Sequence, residues 1–134
     1  MDTLTPIQRS ARMSLVRDKD TGPELAVRRL VHHLGYRYRK HVRDLPGRPD
    51  LVFARRHKII FVHGCFWHRH DCALGRMPKS RIEFWSSKLE GNRARDTRNR
   101  QQLEDRSWRV LVVWECQVDD TVTLASRVRE FLDA

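Results

Sequence analysis

The spacing of apolar residues along the chain predicts its helices and strands. Apolar residues with helical spacing follow Thr21, which matches a capping box with Glu24, and Gly35 is a natural stop for that helix. Apolar and basic residues then alternate over 36–42, which indicates a half-exposed strand. The N-terminal half of the predicted domain therefore begins with a helix followed by a strand.

Two short apolar runs, 50–54 and 58–63, follow a turn rich in proline and glycine. They predict a central hairpin whose strands are buried on both faces. Residues 64–79 are crowded with Cys, His, Gly and Pro, and they predict an irregular segment.

The last third of the chain predicts a long polar helix over about 81–105, interrupted at Gly91, then a strand at 109–114 and a closing helix at 122–132. The buried stripe of the long helix is expected at Ile82, Trp85 and Leu89. The order α-β-β-β-α-β-α describes an α/β protein in which helices cover both sides of a mixed sheet.

The chain of 134 residues is long enough for one domain with a real core and has no room for a second. We assign this domain to residues 21–134, and we expect residues 1–20 to form an arm that orders on its partner. No apolar run approaches the roughly 20 residues of a membrane span, and the N-terminal segment lacks the apolar stretch of a signal peptide. We therefore expect a cytoplasmic protein.

Positive charge is the strongest compositional signal. The formal net charge is +10, and the basic excess lies in residues 1–48 and 76–109, on either side of a nearly neutral segment at 49–75. A compact domain this basic most often binds a polyanion, because neutralising phosphates releases their counterions. Solvated helix faces are the alternative, and ribosomal and nucleic-acid-processing proteins both fit the composition.

The cysteines and histidines predict a structural metal site. Three cysteines in an intracellular chain argue against a disulfide framework. Cys65 and Cys72 lie close together, and Cys116 follows the last predicted strand, so one added imidazole would complete a closed tetrahedral zinc set. His68 and His70 are both within reach, and the spacing leaves the choice open. The alternative is three free cysteines beside a surface histidine.

A carboxylate at the start of the central hairpin predicts a second metal site. Asp50 opens the first central strand and lies beside the end of the second, where many nucleases hold Mg²⁺ against a phosphate. Turn chemistry after a proline is the alternative explanation for this residue. The usual acidic companion is absent from the second strand, so Val62 could offer a metal only its backbone carbonyl.

If zinc takes His70, His63 and His68 remain as candidates for proton transfer, since imidazole titrates near neutral pH. Asp96, on the basic helix, could orient one of them. Glu24 is fully explained by its place in the capping box, so a role on metal-bound water would be an additional one.

Large aromatic residues surround the predicted zinc loop. Phe66 and Trp67 lie in a segment too polar to bury both, and Trp85 lies near the start of the long helix. Aromatic residues are usually part of a core, but aromatic wedges also unstack and kink a DNA duplex. Unstacking costs less free energy at a mispaired step, so such wedges would insert preferentially at damaged sites in the duplex.

Five sequence blocks, in this order, are similar to the very-short-patch mismatch repair endonuclease family. They are Arg-Ser-Ala-Arg-Met at 9–13, Pro-Gly-Arg-Pro-Asp at 46–50, His-Gly-Cys-Phe-Trp-His at 63–68 with His70 and Cys72, Glu-Phe-Trp at 83–85, and Trp-Arg-Val-Leu-Val-Val-Trp-Glu-Cys at 108–116. The resemblance implies a restriction-endonuclease-like mixed sheet flanked by helices, with a zinc-stapled loop. It also implies a Mg²⁺-dependent nick in one DNA strand, 5′ of the thymine in a T·G mismatch left by deamination of 5-methylcytosine.

The resemblance assigns roles to individual residues. The implied catalytic set is Asp50, His68, His63, Asp96 and Glu24, with Mg²⁺ bound by Asp50 and the backbone carbonyl of Val62. The implied structural zinc ligands are Cys65, His70, Cys72 and Cys116, and the implied DNA contacts are Phe66, Trp67 and Trp85 together with Arg9, Arg12 and Met13 of the N-terminal arm. Val62 stands where the best-known pattern has threonine, so that hydroxyl is lost whereas a carbonyl ligand survives.

The expected substrate is duplex DNA carrying a T·G mismatch, cut by a monomer that associates with the nucleoid while it acts. Host mismatch-repair and repair-synthesis proteins are the expected partners, and no membrane partner is expected. Three alternatives remain. One is a restriction or homing-type nuclease of the same fold that cuts matched DNA, and another is a zinc-stabilised DNA-binding module without catalysis. The third is a basic structural protein of a ribonucleoprotein, which should prefer RNA.

Overall fold

The computed structural model describes residues 21–68 and 70–134, so the predicted arm with Arg9, Arg12 and Met13 lies outside the described residues. The described helices are α1 (Gly22–His33), α2 (Ile82–Asp105) and α3 (Thr121–Asp133), and the strands are β1 (Arg39–Lys40), β2 (Leu51–Phe53), β3 (Lys58–His63) and β4 (Arg109–Trp114). This order confirms the predicted α-β-β-β-α-β-α arrangement. Within the described ranges, no helix combines the length and apolar character that a membrane span requires.

The four strands form one mixed sheet in the order β1-β2-β3-β4. The β1–β2 and β2–β3 pairs are antiparallel, whereas β3 and β4 are parallel. The predicted central hairpin is confirmed, and every residue of its two strands is buried. The parallel pair places the C-terminal ends of β3 and β4 side by side, with His63 opposite Trp114.

Helices cover both faces of the sheet, as predicted. On one face, α1 and α3 pack against alternate residues of the central strands around Val31, Phe53, Ile60, Val113 and Val128. On the other face, the intervening residues pack with α2 around Val52, Ile59, Leu103 and Val110. The period-2 alternation of β-strand side chains thus divides one apolar run between two cores.

Side-chain caps and a glycine define the helix ends, and of the predicted capping box at α1 the Thr21 bond is observed. The hydroxyl of Thr21 accepts a hydrogen bond from the backbone N–H of Glu24 at 3.4 Å, which caps α1. Gly35 follows the helix with φ of 91°, a left-handed conformation that favours glycine. At the other end of the chain, Asp120 caps α3 by accepting from the N–H of Thr123 at 3.2 Å.

One buried lysine ties the hairpin to the last helix. Lys58 is only 4% exposed, and its ammonium donates to the main-chain oxygens of Phe131, Leu132 and Ala134 at 2.7, 3.1 and 2.8 Å. Burial lowers the pKa of Lys58. These bonds satisfy carbonyls at the C-terminal end of α3, where a helix has no partners of its own for them.

Three local predictions are wrong. The helix α2 continues through Gly91 without interruption, because one glycine costs only about 1 kcal/mol within a long helix. Ile82, expected in the buried stripe, is 54% exposed, and the buried residues of α2 are Leu89 and Leu103. The strand expected over 36–42 is reduced to Arg39–Lys40, since His41 takes a left-handed φ of 54° that ends strand pairing.

Candidate active site and metal centre

A cleft of about 1160 Å³ lies where β3 and β4 end, between the sheet and α2. Asp50, His63, His68, Asp96 and Trp114 all line it. Strand ends favour such sites, because the irregular segments that follow strands can present side chains over a rigid sheet. The antiparallel pairing of β2 with β3 brings the start of β2, and with it Asp50, to this same edge.

Asp50 is held at the edge of the cleft by the sheet itself. Its Oδ2 accepts a hydrogen bond from the backbone N–H of Val62 at 2.6 Å. Burial raises the pKa of Asp50 to about 7, and the adjacent carboxylate of Glu24 adds to the rise while Arg28 opposes it. Two carboxylates crowded in a poorly solvated place repel each other, and a bound divalent cation would relieve that repulsion. The donor chemistry therefore fits Mg²⁺.

Glu24 does more than the capping box requires. Its backbone N–H donates to the Thr21 hydroxyl and so completes the cap. The residue is only 5% exposed, and its carboxylate lies 3.7 Å from Nε2 of His41. The same carboxylate neighbours Asp50. The structure thus brings together two predicted catalytic residues from a helix and a strand that are distant in sequence.

His63, His68 and Asp96 form one group, as their predicted roles require. Nδ1 of His68 is hydrogen-bonded to Oδ2 of Asp96, and the rings of His63 and His68 stack in parallel with centroids 3.9 Å apart. Burial lowers the pKa of His63 to about 4, and the neighbouring His68 adds to the shift. His63 is therefore neutral at neutral pH, and its Nδ1 has no hydrogen-bond partner among the described residues.

This histidine–aspartate group also has its ligand atoms within 4.8 Å of one another, so it could itself hold a metal ion. The hydrogen bond between Nδ1 of His68 and Oδ2 of Asp96 nevertheless pairs these two groups without a cation. It also fixes the imidazole orientation in the manner of a carboxylate that supports a general base. A histidine held in this way can take part in proton transfer.

The four predicted zinc ligands converge on one point. The ligand atoms of Cys65, His70, Cys72 and Cys116 all lie within 4.8 Å of one another. Nδ1 of His70 is 3.7 Å from the sulfur of Cys65 and 3.5 Å from that of Cys116. Since His68 bonds to Asp96 instead, His70 is the histidine at the cluster. A Cys₃His set of this kind fits Zn²⁺ in a closed, structural site.

Cys65, one of the three cysteines of this cluster, is fully buried. Burial raises the pKa of the Cys65 thiol to about 12, so the sulfur stays protonated unless a metal displaces its proton. The loop around the cluster is short and tightly folded. His70 N–H donates to the carbonyl of Cys65 at 2.9 Å, and Cys65 N–H donates to the Glu115 carboxylate at 3.2 Å.

Gly75 leaves room for this loop to close. A Cβ at position 75 would lie 1.9 Å from the carbonyl oxygen of His70 and 3.1 Å from that of Cys65. Both atoms belong to the backbone and cannot move aside cheaply. The loop geometry therefore requires glycine at this position.

The three aromatic residues that are predicted to contact DNA form one cluster beside the cysteine-rich loop. The rings of Phe66, Trp67 and Trp85 meet edge to face, with centroids 5.1 to 6.1 Å apart, and each ring is half-buried. Phe84 extends the cluster toward solvent: it is 45% exposed and its centroid lies 5.2 Å from that of Trp85. Half-buried aromatic rings on a basic surface can stack on bases.

Sequence reasoning missed several residues that line the cleft. The helix α2 contributes Arg93 and Arg100 to the cleft that Asp96 lines, and Arg48, two residues before Asp50 in sequence, lines it with a left-handed φ of 48°. The signal for the two helix arginines was their spacing of three and four residues from Asp96, which places them on one helix face. Trp114 also lines the cleft; the available signal was its place at the end of a predicted strand, two residues before Cys116.

Comparison with known proteins places the site in a family context. The sequence model of a family described as "DNA mismatch endonuclease Vsr" matches residues 1–74. These residues include Asp50, both proposed proton-transfer histidines and three of the four candidate zinc ligands.

Three relatives cover most of the chain. It is 52% identical over 132 residues to the type II nicking enzyme V.XorIIP of Xanthomonas oryzae pv. oryzae, with 98% of this chain and 97% of that protein covered. It is 39% identical over 137 residues to the type II nicking enzyme V.NmeAIP of Neisseria meningitidis, with 99% and 98% covered. It is 43% identical over 108 residues to the DNA mismatch endonuclease Vsr of Escherichia coli, with 81% and 69% covered.

Proposed function

Because this chain belongs to the Vsr family of DNA mismatch endonucleases, we propose that it nicks one strand of duplex DNA 5′ of the thymine in a T·G mismatch, with Mg²⁺ as cofactor. The chain is accordingly a hydrolase that acts on DNA. The relatives named nicking enzymes support a single-strand cut. The observation that carries the proposal is that one cleft contains both the Asp50–Glu24 carboxylates and the His63–His68–Asp96 group.

The carboxylates provide the place for the cation. Asp50 is oriented by the N–H of Val62 and faces the cleft, and the Val62 carbonyl is its proposed companion ligand. A divalent cation held there would polarise the scissile phosphate and lower the barrier to attack by water. Glu24, next to Asp50, is suited to orient the attacking water because its carboxylate accepts hydrogen bonds.

The histidines move the proton. With Nδ1 of His68 engaged by Asp96, Nε2 is left to take a proton from water or to return one to the leaving oxygen. His63, which stays neutral, stacks on His68 and holds its ring plane. We assign His68 the proton-transfer role and give His63 and Asp96 supporting roles.

The proposed zinc ion serves structure. Four protein ligands fill a tetrahedral site and leave no open position for a substrate. The site joins residues 65–72 to Cys116 just beyond β4, and this same stretch carries Phe66, Trp67 and His68. Zinc at the cluster would thus fix both the proton-transfer histidine and the proposed wedge.

The aromatic cluster is the proposed reader of the mismatch. Insertion of Phe66, Trp67 and Trp85 between base pairs would unstack the duplex, which costs a few kcal/mol per step and least at a mispair. Arginines along α2 are placed to neutralise backbone phosphates near the cleft. The residues Arg9, Arg12 and Met13 of the N-terminal arm are proposed to contact the duplex as well.

A nicking assay tests this proposal. A duplex with one T·G pair, end-labelled on the thymine strand, is incubated with the protein and Mg²⁺, and the expected product is a single cut 5′ of the thymine. The substitution Asp50→Ala should slow the cut by about a thousandfold, since it removes several kcal/mol of transition-state stabilisation. Asp119→Ala, an exposed carboxylate outside the cleft, is the matched control and should leave the rate unchanged.

Other outcomes identify the alternatives. An undiminished cut by the Asp50 variant would refute the proposed metal site. Equal cutting of a fully matched duplex would favour a restriction or homing-type nuclease of the same fold. Salt-sensitive binding without any cut, indifferent to Mg²⁺, would favour a DNA-binding module.

A further inference from the structure

Trp114 lies between the two candidate centres. It is the last residue of β4, it pairs in register with His63 at the end of β3, and it lines the cleft. Its indole is half-buried. The catalytic and zinc-binding roles proposed above make no use of it.

The indole contacts histidines of both centres. On the side of the metal cluster, His70 stacks on it with centroids 4.2 Å apart and an interplanar angle of 13°. On the side of the cleft, His63 and His68 meet it edge-on, with centroids 5.2 and 6.4 Å away and angles of 74° and 71°. One side chain therefore touches a candidate zinc ligand and both members of the proposed proton-transfer pair.

The backbone at Trp114 is fixed independently of these rings. Its N–H donates to Oε1 of Gln117 at 3.0 Å, and the same oxygen accepts from Arg127 of α3 at 2.9 Å. The next residue, Glu115, accepts from the N–H of Cys65. The indole thus projects from a strand end that these bonds hold, with the His70 ring stacked against it.

We propose that Trp114 is a positioning residue that couples the metal cluster to the catalytic histidines; this inference rests on the proposed function. A metal bound at Nδ1 of His70 would fix the plane of that imidazole, and the stacked indole would take its orientation from it. The indole then forms a wall against the stacked pair of His63 and His68. The hydrogen bond to Asp96 fixes one atom of His68, and the wall limits the tilt of its ring.

A second tryptophan offers a matched control. Trp108 precedes the other end of β4 and also stacks on a histidine, His57, with centroids 3.9 Å apart and an angle of 15°. It packs against the core beneath α2 and does not line the cleft. If Trp114 were only a packing residue, truncating either tryptophan should affect the enzyme in the same way.

The test compares Trp114→Leu, Trp114→Phe and Trp108→Leu in the zinc-loaded protein, with the T·G duplex and Mg²⁺. Trp114→Leu should lower kcat by about a hundredfold, because a misplacement of about 1 Å at a reacting group costs that much. KM and zinc content should stay within twofold of the original protein. Trp114→Phe should restore most of kcat, and Trp108→Leu should lower Tm with kcat unchanged.

A spectroscopic measurement tests the coupling without catalysis. Replacing zinc by the larger cadmium ion should shift the imidazole ¹⁵N resonances of His63 and His68 in the original protein but not in Trp114→Leu. Three results would each overturn the inference. Trp114→Leu could keep the kcat of the original protein, it could lose its zinc, or cadmium could shift the histidine resonances equally in both proteins. Failure of the original protein to nick, with the predicted shifts present, would refute the proposed function and leave the coupling established.

Discussion

At the scale of single residues, the loop that carries Cys65, His70 and Cys72 can close only because residue 75 is a glycine and has no Cβ. The backbone oxygens of Cys65 and His70 occupy the space where a side chain at position 75 would begin. Gly91 has no such constraint: a Cβ there meets nothing within 4 Å, and the residue lies exposed on α2. The two glycines therefore respond to the same substitution in opposite ways.

We expect Gly75→Ala to open the loop, lower zinc content and lower Tm, because a contact of 1.9 Å with backbone forces the chain to shift. We expect Gly91→Ala to stabilise the protein by about 1 kcal/mol, the difference in helix propensity between the two residues. Metal analysis and urea denaturation measure both effects. Full zinc occupancy in Gly75→Ala would show that the loop adapts more easily than its geometry indicates.

Asp96 allows a second test at the residue scale. Asp96→Asn keeps the shape of the side chain but removes the charge that orients and stabilises His68, so kcat should fall by at least about tenfold with KM little changed. Asp105→Asn is the control, since Asp105 accepts only an exposed side-chain bond from Gln101 on the same helix among the contacts described. Nicking kinetics under saturating Mg²⁺ would show the difference. Equal rates for the two variants would remove Asp96 from the mechanism.

At the scale of elements, the hairpin and the last helix depend on each other. Lys58 sits at the start of β3, yet its ammonium binds three main-chain oxygens at the end of α3. The ammonium of Lys58 donates hydrogen bonds to these oxygens, which have no intrahelical donors in the last turn of the helix. The packing of α3 on the sheet therefore includes a polar component within an otherwise apolar core.

Lys58→Met should destabilise the protein by about 1–3 kcal/mol, because the carbonyls lose their donor while the aliphatic stem is retained. Arg55→Met, in the exposed turn between β2 and β3, is the control and should change stability little. Urea denaturation followed by far-UV circular dichroism gives both values. A smaller effect at Lys58 than at Arg55 would contradict the role of the lysine.

The elements themselves could be predicted from sequence, because each depends on local periodicity and caps. The central hairpin, the strand at Arg109–Trp114 and the closing helix all have strong patterns within a few residues. The prediction was wrong at Gly91 because a long helix tolerates the cost of one glycine, about 1 kcal/mol. It was wrong at Ile82 because an apolar residue stays exposed when no element covers it, which local periodicity does not show.

The candidate site could be predicted only in part. Cysteine and histidine spacing indicated a metal cluster but left the choice between His68 and His70 open. The family resemblance implied His70, and the contact of His68 with Asp96 agrees with that choice. Glu24 was explained locally by its cap, because the convergence of its carboxylate with Asp50 is a property of the tertiary structure. The only signal for the place of Trp114 between two sites was its position at the end of a predicted strand, two residues before Cys116.

At the scale of the whole molecule, two metals are expected to act in separable ways. A mild chelator that removes Mg²⁺ should stop nicking without changing Tm, and added Mg²⁺ should restore it. A stronger chelator, or a reagent that reacts with the cysteine thiols, removes zinc and should lower Tm. It should also abolish nicking, and added Mg²⁺ alone should not restore the activity. Tm and activity measured on the same samples distinguish the two. If activity and Tm were always lost together, whichever chelator was used, the two metal sites would behave as one unit.

The parallel pairing of β3 with β4 has a consequence for how the chain folds. The two strands are joined by a long crossover that contains the cysteine-rich segment and all of α2, so their pairing must await the closure of a large loop. Cys65, His70 and Cys72 lie just after the C-terminal end of β3, and Cys116 lies just after the C-terminal end of β4. A cation captured early would hold those ends together and remove much of the entropic cost of closure. Zinc supply during synthesis would then govern how fast the sheet is completed, in addition to how stable it is afterwards.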